Sequence, residues 1–141
     1  MYIVNALRVI ILTGARLREI LHLKWAEIDL DRGVLNLSKS KTGAKTIYLN
    51  EAAVAILRGI PRQYDNQFVF CGLRAGQPIH EIQKAWQRIR KLADIEDVRI
   101  HDLRHTFASV AVMKWYVLAY DRRIARPFTA TYYGKICSSC S

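Results

Sequence analysis

The chain has 141 residues, 22 Lys and Arg against 12 Asp and Glu, and a formal net charge of +10. Its length suits one domain, and 51% hydrophobic with 24% charged residues excludes a disordered composition. No apolar run approaches the ~18 residues a membrane helix needs, the N-terminal stretch carries Arg8 and no small-residue cleavage site, and the basic excess points to an anionic partner, most simply nucleic acid.

In chain order, residues 3–12 (IVNALRVIIL) predict a mostly buried helix, which Thr13-Gly14 breaks. A second helix is expected over about 17–25, with Leu17, Ile20, Leu21 and Leu23 as its apolar face. Residues 27–32 are rich in turn formers. Residues 34–37 (VLNL) and 46–49 (TIYL) read as short strands, and the SKSKTGAK between them, with Gly43 for the turn, makes a β-hairpin. Asn50 is placed to cap a helix reaching about residue 58, with Glu51 favourable in its first turn. Residues 61–66 are loop, and 68–70 (FVF) a short buried strand or extended segment. Residues 80–92 form an amphipathic helix: Ile82, Trp86 and Ile89 make an apolar stripe, and Lys84, Arg88 and Lys91 a basic one. Residues 101–112 give a last helix with Leu103, Phe107 and Val110 inward. Trp25, Trp86 and Cys71 are expected in the core, and His22 and Lys24 at the surface. The sum is an α+β fold, mainly helical with a small antiparallel sheet, over residues 1–113. Residues 114–141 show no convincing period. They hold five basic residues and one acidic, and a poorly folded tail is expected there.

Three stretches carry candidate chemistry: TGARLREILHLKW at 13–25, SKTGAKTIYL at 40–49 and HDLRHTFAS at 101–109. Each has an ordinary reading when taken singly. Thr-Gly-x-Arg is also a helix break followed by a surface arginine. The Lys-rich hairpin is also a charged turn protecting a sheet edge. His-x-x-Arg is also a solvated pair on one helix face. In this order and spacing they closely resemble the catalytic domain of the tyrosine recombinase (phage integrase) family, over about residues 3–113. The resemblance implies an integrase-like catalytic fold here lacking its C-terminal helices. It implies that Arg16 and Arg104 are the two catalytic arginines, Lys41 the hairpin lysine, and His101 the histidine of the second motif. Glu19 would buttress the site and His105 support it. Lys39 and Lys45 would touch the DNA backbone or remain solvated charges, and Lys84 and Arg88 would track DNA phosphates or face solvent.

Such enzymes cut one DNA strand by attack of a Tyr hydroxyl on phosphorus, with no metal or other cofactor. Two guanidinium groups hold the non-bridging oxygens and stabilise transition-state charge. A lysine protonates the departing 5′ oxygen, a histidine relays the nucleophile's proton, and the tyrosine retains the strand as a 3′-phosphotyrosine. The resemblance also implies double-stranded DNA as partner, no membrane, a bacterial or phage-derived cytoplasmic setting, and tetrameric synapsis in intact relatives, expected to be lost here. It implies a helical N-terminal domain too, before a chain that starts close to the first catalytic-domain helix.

The family pattern calls for Gly followed by His or Trp about 23 residues after the second arginine, and the nucleophilic Tyr about nine further on. Those positions are Pro127 and Ile136. Tyr132 and Tyr133 lie nearby without a preceding Gly-His, and Tyr116 and Tyr120 come too early. Back-translated with free synonymous choice and shifted by one nucleotide, the segment from Lys114 can spell NGMSLPMIGGLLGHSQPRTTARYAHL, with His and Tyr at the counted places. A frameshift near codon 113–114 is therefore expected, leaving the chain without a nucleophile and catalytically inactive, either a residual DNA-binding module or a non-functional pseudogene product. The tail's Cys137 and Cys140 then carry no redox or zinc meaning. With three Cys and no disulfide framework, the default is a reducing compartment.

Overall fold

The computed structural model describes residues 1–40 and 43–120, with side chains for 1–38 and 43–114. The chain divides into two units after Phe107, the first being Met1–Phe107. The first unit holds every element named below except the C-terminal part of the last helix.

Helix α1 (Tyr2–Thr13) buries Ala6, Leu7, Val9, Ile10 and Thr13, the stripe that a period of 3.6 places on one face. It stops at Gly14, whose left-handed backbone no other residue adopts as cheaply. Helix α2 (Leu17–Leu21) is one short turn and a half, not the longer helix expected to residue 25. The cause is tertiary. Residues 23–25 pair with a distant extended segment, through Val69 N–H to Leu23 O at 2.9 Å and Trp25 N–H to Gln67 O at 3.0 Å. A 3₁₀ turn, Trp25–Glu27, follows.

Strands β1 (Ile28–Asp29), β2 (Val34–Ser40) and β3 (Gly43–Tyr48) form an antiparallel sheet in that order. The strands β2 and β3 run longer than their apolar cores suggest. Leu35 faces Ile47 across the ladder, and both are buried; the register slips between Leu37 and Ser40. Asn50 caps α3 (Glu51–Arg58), its Oδ1 accepting from Ala53 N–H at 2.8 Å. The Phe68–Phe70 segment enters no named strand; a single bridge joins Phe68 to Lys24, and Val69 and Phe70 are wholly buried.

Helix α4 (Gln83–Leu92) starts three residues later than expected. Ile82 and Trp86 are buried and Ile89 packs partly against the core. Helix α5 (Ile100–Tyr120) runs beyond residue 113. Leu103 is buried and Phe107 half-buried, but Val110 is exposed, against its expected inward place. Trp25 is half-buried rather than in the core, with the Arg62 guanidinium over its ring at 4.6 Å. One continuous core joins α1, α2, the sheet, α3 and the Val69-Phe70 segment; each large aliphatic side chain removed from water there contributes about 1.5–3 kcal/mol. No described helix is long and apolar enough to cross a membrane.

Candidate active site

The site is built where α1 breaks. Thr13 Oγ1 donates to Val9 O at 2.6 Å and accepts from Ala15 N–H at 3.3 Å, so this buried hydroxyl is satisfied. Gly14 has φ 64°, and its N–H closes α1 on Ile10 O at 2.8 Å. A Cβ at Gly14 would collide with the Phe107 ring of α5. The Thr-Gly of one signature block therefore interlocks with the Phe of another.

This break sets Arg16 at the N-cap of α2, in extended backbone. Three residues on, Glu19 accepts from Arg16 N–H at 2.9 Å, Arg16 Nη1 at 3.1 Å and Lys45 Nζ of β3 at 3.3 Å. Its side chain is 6% exposed. Burial pushes the Glu19 carboxyl up, but the Arg16 N–H, the Lys45 charge and the Arg16 guanidinium together outweigh it and hold its pKa below the ordinary value. Glu19 is thus an ionised strut between the arginine and the hairpin.

The same spacing recurs twice. Glu27 accepts from Lys24 N–H at 3.1 Å and from the Ser38 N–H and hydroxyl at 3.2 and 2.9 Å. Asp102 accepts from Arg99 N–H at 2.7 Å. In each case an acid at the third helical position satisfies an orphan backbone donor. The helix α5 that follows Arg99 carries His101, Arg104 and His105. The His101 and His105 rings meet edge to face, centroids 4.8 Å apart. Helix α4 anchors the approach to α5: Trp86 Nε1 and Arg90 Nη1 both donate to Val98 O at 3.2 Å, and Arg90 Nη1 also to Glu96 O at 2.5 Å.

Between these elements lies a cleft of about 1020 Å³. Arg16, Arg18, Lys24, Arg90, Arg99 and Arg104 line it, with His22, His101, Glu19 and Glu27; Leu37, Phe68 and Trp86 are among its apolar walls. Basic side chains outnumber acidic ones, so the cleft suits an anion, and an apolar wall strengthens each charge's reach. Of the residues singled out from sequence, Arg16, Glu19, His101 and Arg104 line this one cleft, and Lys45 reaches it through Glu19. His105 joins through its contact with His101. Lys41 lies outside the described residues, as does the Lys39 side chain, and so do Pro127, Tyr132, Tyr133, Ile136, Cys137 and Cys140. Lys84 and Arg88 do not line the cleft; they border a separate groove of about 380 Å³ with Ile3, Val4 and Ile89. Sequence reasoning missed Arg18, Arg90 and Arg99 and set Lys24 aside as surface. The basic-x-x-acid spacing shared by Arg16, Lys24 and Arg99 was the available signal. Among the described residues no group of three His, Cys, Asp or Glu is placed to hold a metal.

Comparison with known proteins agrees with this architecture. The integrase of Salmonella phage P22 is 33% identical over 114 residues, covering 69% of this chain and 29% of that protein. Tyrosine recombinase XerC of Xanthomonas axonopodis pv. citri is 36% identical over 105 residues, covering 69% and 33%. The chain spans less than half the length of these curated relatives. Among solved structures, the Tn1549 transposon integrase in complex with circular intermediate DNA superposes with a TM-score of 0.65 at 18% identity, covering 92% of this chain and 51% of that one. The XerH site-specific recombinase, in a pre-cleavage complex with its difH substrate, gives 0.64 at 21%, covering 95% and 45%. These likenesses show the fold. Residues of the first and third signature blocks line one basic cleft, the sequence model described as "Phage integrase family" matches residues 1–113, and the chain belongs to the phage integrase family.

Proposed function

We propose that the cleft holds one phosphodiester of double-stranded DNA, and that this chain, by ancestry part of a site-specific recombinase, binds DNA without cutting it. The supporting observation is that Arg16, His101 and Arg104 line a single basic cleft although Arg16 and Arg104 stand 88 positions apart in sequence. In this reading Arg16 and Arg104 grip the non-bridging oxygens, as paired guanidinium groups do in a dry, preorganised site. Lys41 is the proton donor to the leaving 5′ oxygen and His101 the proton relay. Glu19 holds Arg16 in place, and His105 supports His101. DNA as partner draws support from the solved relatives, among them the Tn1549 integrase and XerH, each in complex with DNA. Such a partner fits the cytoplasm of a bacterium carrying a mobile element.

The attacking group sets the limit. Pro127 and Ile136 stand where the family pattern calls for His or Trp and for Tyr; a frame change near codon 113–114 accounts for both. Residues that only stabilise charge cannot replace a missing nucleophile. The family's intact members use the same segment to dock on a neighbour, so this chain is expected to bind DNA as a monomer rather than a tetramer.

The test pairs this chain with a version whose frame is restored, each on a nicked suicide DNA substrate. The expected result is a salt-sensitive gel shift from both and a covalent protein–DNA adduct from the restored version alone. An adduct from the chain as it stands overturns the loss of activity, and no gel shift at low salt overturns the DNA reading. A gene sequence whose shifted frame lacks Gly-His and Tyr removes the frameshift.

A further inference from the structure

We propose that Arg99 is a further phosphate-binding residue of the cleft, a third guanidinium that grips the DNA backbone beside the one held by Arg16 and Arg104. This rests on the DNA reading above and adds to it a residue outside the three signature blocks.

Arg99 is exposed and lines the cleft at the start of the helix that carries His101 and Arg104. Asp102, three residues on, accepts from the Arg99 backbone N–H at 2.7 Å. Among the described residues no carboxylate pairs with the Arg99 guanidinium. Two arginines elsewhere on the surface do have a carboxylate partner. Arg32 pairs with Asp29 at 3.7 Å and Arg58 with Asp31 at 3.9 Å, both away from the cleft. Glu19 also pairs with Arg16 and Lys45, but Asp102 serves the Arg99 amide and leaves its guanidinium without a carboxylate where it faces the opening. Lys24 shows the same arrangement, its N–H bound by Glu27 while the ammonium has no carboxylate partner among the described residues. An exposed, uncompensated arginine costs little in the free protein, where water solvates it. Its full attraction is then available to a phosphate.

A phosphate contact has a signature that a structural residue lacks. Each one lost lowers the slope of log affinity against log salt by about 0.9. The ratio of wild-type to variant affinity therefore shrinks by about 3.5-fold between 50 and 200 mM salt, fourfold raised to that power. The experiment measures binding of a random-sequence duplex of about 30 base pairs across that salt range. It compares the wild type, Arg99→Gln, Arg99→Lys, Arg16→Gln and, as a control outside the cleft, Arg32→Gln. Expected are a slope reduced by about one for Arg99→Gln, a slope restored by Arg99→Lys, and a wild-type slope for Arg32→Gln. The cap is a backbone bond, so coincident urea melts for the Arg99 variants exclude unfolding. An Arg99→Gln protein with the wild-type slope overturns the proposal. If Arg16→Gln still weakens binding in that case, the DNA reading stands without it; if the wild type does not bind the duplex, both fall.

Discussion

Replacing Glu19 by Gln removes one charge and almost no volume from the most constrained point of the site. The carboxylate now takes three donors: Arg16 N–H and Lys45 Nζ on Oε2, and Arg16 Nη1 on Oε1. A glutamine has one acceptor oxygen and one NH2 group. With its oxygen in the Oε2 place it keeps Arg16 N–H and Lys45, but its amide then points a donor at the Arg16 guanidinium. One charged hydrogen bond is lost and the others lose their charge. Hydrogen bonds to charged groups are worth about 1.5–3 kcal/mol. Arg16 and Lys45 are 29% and 30% exposed, so solvent screening favours the lower end, about 2 kcal/mol. Because folding lowers the Glu19 pKa, its contribution is fully present above the unfolded value near pH 4.5 and is lost as pH falls through the folded value. Urea unfolding at pH 7 and at successively lower pH measures this directly. The expected result is a variant about 2 kcal/mol less stable at neutral pH, with unchanged urea dependence, whose deficit shrinks in acid as the wild-type carboxyl itself gains a proton. A deficit of constant size across that range, or none at neutral pH, would refute the strut.

Gly14→Ala must hold a left-handed backbone and drive its methyl into the Phe107 ring; a loss of about 2–3 kcal/mol is expected by urea melt, and Phe107→Ala in the same chain should recover part of the deficit. Asn50→Ala removes the cap on Ala53 N–H and the Nδ2 bond to Leu12 O at 3.2 Å, at a cost of about 1 kcal/mol. Asn50→Asp keeps the cap acceptor and should recover most of that loss, so equal losses for the two variants would contradict the capping role.

The helices and the hairpin were legible because their apolar periods are local. Ile10, Ile20, Leu35, Ile47 and Leu57 all fall where alternation or the 3.6 period put them. What was not legible depends on partners far along the chain. Nothing near Leu23 announces that Val69 will take its carbonyl, so α2 was read too long. Val110 repeats the spacing of Leu103 and Phe107, yet it stands exposed, since a period gives a face and not the neighbour that covers it. The convergence of Arg16, His101 and Arg104 was visible only through family resemblance, because spacing alone gives no distance between separate elements. Arg99 was passed over because it stands two positions before its motif and because a basic-x-x-acid spacing means little on its own. Its relation to Asp102 emerges only beside the parallel cases of Arg16 and Lys24.

The bare backbone at Gly14 and the ring of Phe107 occupy one volume between them. Two stretches of the gene, separated by most of its length, are therefore tied by steric exclusion and cannot diverge independently. A bulkier side chain gained at the first would have to be answered by a smaller one at the second, and natural variation in this lineage should bear the imprint of that bargain as correlated change at the two codons.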